Sequence, residues 1–242
     1  YPTATFRSSR KDPLVLEVSG AQWSNAQLYL HRVYAYCETA SAADCEAAKQ
    51  RMIAAVSSPP PVAQPRNLRV IVRGEDYIAY AQAKAAKEKQ PWFFVRKIGD
   101  DLYEALALDG PNVIGLASAA DLRDMKLKPD EAWAIARRQT RAILPPMPEA
   151  GYYLMDTVTF EGPEYMSAVL ADTDYWQKLR DLIGPDLFIT VTTDQFVLAS
   201  LLAAGPSMDR FAEAVAEDCK RAERCISPHI YRFENGMWVI EQ

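Results

Sequence analysis

Four cysteines, two histidines and a scatter of aspartates are the side chains of this 242-residue chain with the clearest capacity for chemistry. The cysteines fall as two close pairs, Cys37 with Cys45 and Cys219 with Cys225. On one continuous helix, residues 37 and 45 would stand about 12 Å apart at 1.5 Å per residue. A disulfide needs Cα atoms within about 7 Å, so pairing requires a turn. Glu38-Thr39-Ala40 supplies a bend and Ser41 an N-cap, with Asp44 three residues on. Cys219 and Cys225 meet the same condition if their helix ends near Arg221. The expectation is two local disulfides, 37–45 and 219–225, and with them an exported protein, periplasmic or secreted. Spacing alone does not choose among the three connectivities, and four free, buried thiols in a cytoplasmic protein are the alternative. Neither pair has the spacing of common zinc knuckles.

His31 and His229 are the only histidines and are read as surface or helix-face residues; a conventional Ser–His–Asp site would have to use one of them. A Cys225–His229 dyad is conceivable only if Cys225 is a free thiol. Among carboxylates, Asp156 is expected within an otherwise apolar strand, where it faces solvent on one side of the sheet or, as the alternative, is a desolvated acid with a raised pKa. Asp172, Asp174 and Asp194 are read as helix caps, because no calcium-loop spacing surrounds them. Asp156 and Asp194 are the catalytic candidates that remain. Tyr152, Tyr153, Trp176 and Trp238 are read as core or sheet-face packing, with a peptide or glycan pocket as the alternative.

Absences narrow the field. No two of the ten glycines are separated by a single residue, which excludes a GxGxxG dinucleotide loop. No Walker A cradle, GxSxG elbow or HExxH pair occurs. No resident cofactor or metal is expected. The net charge of -5 argues against nucleic acid as a partner. The longest charge-poor apolar run, 195–208, is shorter than the roughly 20 residues a spanning helix needs. The opening YPTATFRSSRKD contains no apolar signal core, and the missing initiator Met suggests a removed upstream segment.

The elements that position these residues follow from periodicity. With 49% hydrophobic and 24% charged residues, the composition is that of a folded chain able to bury a core. Residues 127–144, LKPDEAWAIARRQTRAIL, form the best-marked helix. Pro129 opens it, Asp130 and Glu131 sit at its positive end, and Arg137, Arg138 and Arg141 lie toward its negative end. Ala132, Trp133, Ala136, Thr140 and Ile143 make its inner face, and Pro145-Pro146 stop it. Leu14–Val18 reads as strand. A helix capped by Ser24 and a second one ending near Val56 read as an N-terminal helical hairpin.

The run 58–66 is a Pro-rich linker. Beyond it, strands are expected at 68–73, 92–98, 102–108 and 113–116, with a solvated helix at 76–89 and a short one at 119–125. Residues 152–160 read as strand, 164–170 and 175–183 as helices, and 187–192 as a central strand. Residues 194–203 read as a buried helix, followed by another from Pro206 and by a hairpin around Asn235-Gly236. The fold class is α+β: a mainly antiparallel sheet packed with helices in a single domain of 1–242, with subregions 1–57, 58–66 and 67–242.

Several of these segments together resemble the YtpQ-like family, bacterial proteins built on a domain of unknown function. The matches run in order: QLYLHRVYAYC; LRVIVR, lacking the family's Pro; EALALDG with Asp109; LKPDEAWAIARRQTRAIL, with Gln139-Thr140 in place of Asn-Leu. EYMSAVL with Ser167, LFITVTTDQFVL with Asp194, and CISPHIYRFENG with Ser227 and Tyr231 complete the series. The resemblance implies one α+β unit that includes the N-terminal hairpin, and it brings no catalytic residue.

These readings favour a non-enzymatic module of the bacterial cell envelope that binds an unknown protein or peptide. A hydrolase or transferase using carboxylates is the alternative, and a homodimer is a further possibility for its assembly.

Overall fold

The computed structural model describes residues 5–20, 23–87, 89–90, 92–162, 164–222 and 224–241. By internal contacts the chain divides into two compact units, Tyr1–Pro59 with Arg221–Glu223, and Pro60–Lys220 with Arg224–Gln242. The division falls inside the proline run, where extended backbone makes no ladder or helix of its own.

The N-terminal unit opens with an antiparallel sheet of β1 (Thr5–Ser8), β2 (Val15–Gly20) and β3 (Trp23–Tyr29), in that order. Helices α1 (His31–Thr39) and α2 (Ala42–Ser57) follow. The helix expected from Ser24 is thus corrected: residues 23–29 are strand and the helix begins at His31. The reason is pairing, since Leu28 and Gln27 stand opposite Leu16 and Glu17 and give β2 its second neighbour. Only Ala40 and Ser41 separate α1 from α2, and Ser41 caps α2 by accepting the Asp44 N–H. The turn brings Cys37 and Cys45 to disulfide distance, with Cα atoms 4.8 Å apart.

The larger unit contains two sheets. In the first, β4 (Leu68–Gly74) and β6 (Leu102–Asp109) pair over their full length. β5 (Val95–Lys97) and β7 (Ile114–Leu116) share the other edge of β6, all antiparallel. β6 is buried on both faces from Glu104 to Leu108; the apolar run Ala105–Leu108 requires this, and Glu104 is buried against Arg137. Helix α3 (Glu75–Lys87) follows β4, and α4 (Ala119–Asp124) starts at a capping box between Ser118 and Asp121. Glu88, within the expected 76–89 helix, lies outside the described residues.

Helix α5 (Pro129–Ile143) occupies the expected span, and Ala132, Trp133, Ala136 and Thr140 are its buried residues. Thr140 does more than fill space: its buried hydroxyl accepts the Val70 N–H at 2.8 Å, so α5 satisfies a strand amide.

The second sheet has the order β12-β11-β9-β10-β8. Its strands are β8 (Val158–Glu161), β9 (Leu187–Thr193), β10 (Phe196–Leu201), β11 (Ile230–Glu234) and β12 (Met237–Ile240). β9 is interior, between β11 and β10, as its apolar character on both parities predicts. Two expectations are corrected here. Residues 152–160 are not one strand: α6 (Ala150–Met155) precedes β8, and Tyr153 is buried with its ring edge toward Trp176. Residues 194–203 are not a helix: a tight turn leads into β10, whose Val197 and Ala199 alternate into the core.

A short 3-10 helix at Met166–Ala171 replaces the expected α-helix at 164–170. It leads into α7 (Thr173–Ile183), capped by Asp172. Helix α8 (Pro206–Arg221) packs Phe211 against Phe188 and carries Cys219, whose Cα lies 5.1 Å from that of Cys225. Asn235 and Gly236 both have positive φ, the type I′ turn predicted for the last hairpin. The architecture is α+β, antiparallel sheets packed with helices. The main core centres on Trp176, with Tyr153, Phe160, Tyr175 and Trp238 edge-on around it. The aromatic pocket considered from sequence is therefore filled by packing at Tyr153, Trp176 and Trp238, while Tyr152 is exposed.

Candidate functional site

The two catalytic candidates are not brought together. Asp156 is the C-cap of α6, exposed, and accepts the adjacent Thr157 N–H at 2.7 Å. It is not held inside an apolar strand, as the sequence led us to expect. Asp194 lies in the β9–β10 turn, 3.1 Å from Arg73 Nη2. The β8–β10 ladder separates them, with Ala199 opposite Val158 at one end and Phe196 opposite Glu161 at the other.

Asp194 instead belongs to a charged rim on one face of the first sheet. Arg69, Ile71 and Arg73 alternate onto that face of β4, opposite Ala107, Ala105 and Tyr103 of β6. Arg69 Nη2 pairs with Asp109 Oδ2 at 3.2 Å, and the Tyr165 hydroxyl donates to Asp109 Oδ1 at 2.8 Å. Burial first, and then the Asp109 hydrogen bond, push the Tyr165 hydroxyl above its ordinary pKa, so it stays a donor. Partial withdrawal from water raises the Glu164 carboxyl above its ordinary value. Asp109 and Asp194 push the same way, against the opposing pull of Arg224 and Arg73. Asp109 and Asp194 are thus each held by an arginine, and the rim ties β4 and β6 to the segment before the 3-10 helix and to the β9–β10 turn.

The histidines are similarly engaged. His31 Nε2 lies 2.7 Å from Asp12 Oδ2 in the N-terminal unit. His229 donates its backbone N–H to Ser227 Oγ, and its Nε2 lies 3.9 Å from Asp101 Oδ2. Ser227 and Tyr231, both fully buried, each lie within hydrogen-bond distance of the Asp101 carboxylate and of each other, and their two hydroxyl protons serve these contacts. Burial and the Asp101 bond raise the Tyr231 hydroxyl pKa. A serine with no exposure, bonded to the backbone and not the ring of His229, is placed to lock the turn before β6 onto β11, not to attack a substrate. Cys225, beside Cys219, is likewise no partner for His229. Among the described residues, no three His, Cys, Asp or Glu side chains gather at metal-ligand range.

The site with the form of a binding surface is one that sequence periodicity did not reveal. In the N-terminal unit, Leu14 and Leu16 of β2 and its lead-in, with Leu28 and Leu30 around β3, face α1 and α2 across a groove of about 450 Å³. Val33, Tyr34 and Cys37 line it from α1, and Lys49, Met52, Ile53 and Val56 from α2. Each helix contributes residues at i and i+4 spacing, so the lining is one stripe per helix. Phe6 reaches in from β1. The volume lies within the roughly 300–1,000 Å³ of ordinary ligand sites. Phe6, Tyr34 and Ile53 are each more than half exposed, at 53%, 53% and 57%. β1 pairs only with β2 among the described residues, so its outer edge offers backbone N–H and C=O groups beside the groove. Leu14 and Leu16 were legible as strand, but Leu28 and Leu30 read as helix, and that the sheet and the helices stand apart was not legible.

Among the described residues no helix is long and apolar enough to cross a membrane. No known family profile, no curated protein and no solved structure matches this chain.

Proposed function

We propose that this chain is a non-enzymatic binding module of the bacterial cell envelope, taking an extended peptide segment of a partner protein in its N-terminal unit. The carrying observation is the apolar groove beside the outer edge of β1. A strand added to that edge gains main-chain hydrogen bonds, while every second side chain enters the groove and supplies selectivity. Lys49, the one charged side chain among the described lining residues and 3.7 Å from Glu46, favours an acidic residue at that end of the segment. Two cysteine pairs at disulfide distance support an oxidising compartment, periplasmic or extracellular. The likeness to the YtpQ-like family belongs to the same proposal. In its support, the polar residues of the matching motifs, Asp109, Ser167, Asp194, Ser227 and Tyr231, all make side-chain hydrogen bonds or ion pairs.

The test is panning of the full chain against a phage-displayed library of linear peptides. The expected winners alternate apolar residues, and Ile53→Asp or Phe6→Asp weakens their binding at least about tenfold. Tyr80→Asp, an equally exposed aromatic on α3, leaves it unchanged. Failure to enrich any sequence, or winners indifferent to Ile53→Asp, would overturn the reading.

A second reading, a hydrolase or transferase working through carboxylates, has one observation in its favour, the raised Glu164 beside Asp109 and Asp194. It predicts a hydrolytic activity toward some member of an ester, amide and glycoside panel that Glu164→Gln abolishes.

A further inference from the structure

The larger unit has a second cavity, of about 310 Å³, between the C-terminal half of α5 and the start of α7. Its two walls carry opposite charge. Arg137, Arg138 and Arg141 line it from α5, and Asp172 and Asp174 from the beginning of α7. Two of the arginines are engaged: Arg137 pairs with the buried Glu104 at 2.6 Å, and Arg141 reaches across to Asp172 at 3.4 Å. Arg138 and Asp174 make no ion pair among the described residues, although both are exposed and line the same cavity.

We propose that this cleft binds a small zwitterion, an α-amino acid with a short apolar side chain. Its carboxylate sits on Arg138 and Arg141, and its ammonium on Asp174 and Asp172. The charge pattern selects this class. A simple anion would satisfy Arg138 and leave Asp174 facing added negative charge, and a simple cation would do the reverse. A zwitterion supplies a partner to each wall, and it replaces the Arg141–Asp172 bridge without leaving either side chain uncompensated. Guanidinium groups suit the planar carboxylate, which they bind through paired N–H donors. The floor is apolar, from Val70, Val169 and Leu144, and the volume lies at the low end for ligand sites, which limits the side chain to a few carbons. The site involves none of the groove residues of the N-terminal unit.

Isothermal titration calorimetry of the full chain with alanine and valine tests the assignment, with propionate and ethylamine as single-charge controls. Alanine or valine is expected to bind at least about tenfold more tightly than either control. Arg138→Gln and Asp174→Asn should each weaken binding by a similar factor; the exposed Arg138→Gln leaves the melting temperature unchanged, and Asp174→Asn lowers it only slightly through lost charge in the first turn of α7. The Ile53→Asp variant should bind the amino acid normally. The proposal is overturned by no saturable heat at about 10 mM alanine or valine. It is equally overturned if propionate or ethylamine matches the zwitterion, which would make the cleft a plain anion or cation site.

Discussion

The Tyr165 hydroxyl donates a hydrogen bond to Asp109 at 2.8 Å while the residue's own backbone sits at φ 67°, in the left-handed region. A bulky residue held there carries strain that the surroundings must offset. They do so by burying the ring with Ile71, Ile78, Ala105 and Ala107 and by anchoring its oxygen. Asp109 is shared with Arg69, whose Nη1 donates to the Arg66 and Leu68 carbonyls at 2.9 Å each while Asp109 supplies the counter-charge. Tyr165→Phe is expected to cost about 1–2 kcal/mol of stability. Asp109→Asn, which strands the arginine charge, should cost about 2–4 kcal/mol. Urea unfolding of the two variants measures both, and equal effects would contradict the shared-anchor account.

Glu104 presents the same logic at greater depth. Its side chain is 2% exposed, with Arg137 at 2.6 Å and Arg96 at 3.9 Å. Arg96 and Arg137 also lie over the Trp133 ring, at 4.4 and 5.9 Å from its centroid. Arg137→Met should destabilise by about 2–4 kcal/mol, because a buried carboxylate loses its close partner. Pairing Arg137→Met with Glu104→Met should recover most of that loss. Denaturant midpoints of the single and double variants decide it.

The raised Glu164 gives a pH signature. A carboxyl whose folded pKa exceeds its unfolded value disfavours the folded state once ionised. That cost is absent below the ordinary carboxylate range, about pH 4, and complete above the raised value. Glu164→Gln removes the charge, so the variant should melt higher than the parent near pH 7. Because the residue is largely solvated, the difference should be small, roughly 1–2 °C. The two melting curves should converge below about pH 4. A gap that widened on acidification would reverse the assigned sign.

Cys37 and Cys45 close an eight-residue separation, a tie that the chain-entropy account values at about 2–3 kcal/mol. The N-terminal unit has a small core, so losing the tie should matter more there than losing Cys219–Cys225 in the larger unit. Hydrogen exchange of a Cys37→Ser/Cys45→Ser variant should rise across β1–β3 and α1–α2. Protection of β4, β6 and β9 should persist. Native-state alkylation of the parent should label no thiol until reductant is added.

Local chemistry made much of this fold legible. Pro129, the acidic first turn and the paired prolines marked α5 to within a residue, and Asn235-Gly236 marked the last hairpin. The cysteine spacing demanded turns at the places where turns occur. What failed was the reading of short apolar runs. Tyr152 to Phe160 is apolar on both parities, and only the burial of Tyr153 against Trp176 makes its first half a helix. Phe196 to Leu201 is strand because β8 and β9 flank it, a long-range reason with no local mark. The groove and the charge-split cleft were invisible for a similar cause. Each is defined by the gap between two elements, and a gap has no residue to announce it.

The brevity of β1 bears on how long any guest would stay. Among the described residues it spans Thr5–Ser8, and in an antiparallel strand alternate residues turn their amides to opposite sides. An added strand therefore completes only a few main-chain bonds, each worth about 0.5–1.5 kcal/mol net. Such a hold is brief. Release would be fast and discrimination would rest on the side chains beneath, the behaviour of a surface that samples many clients in succession instead of sequestering one.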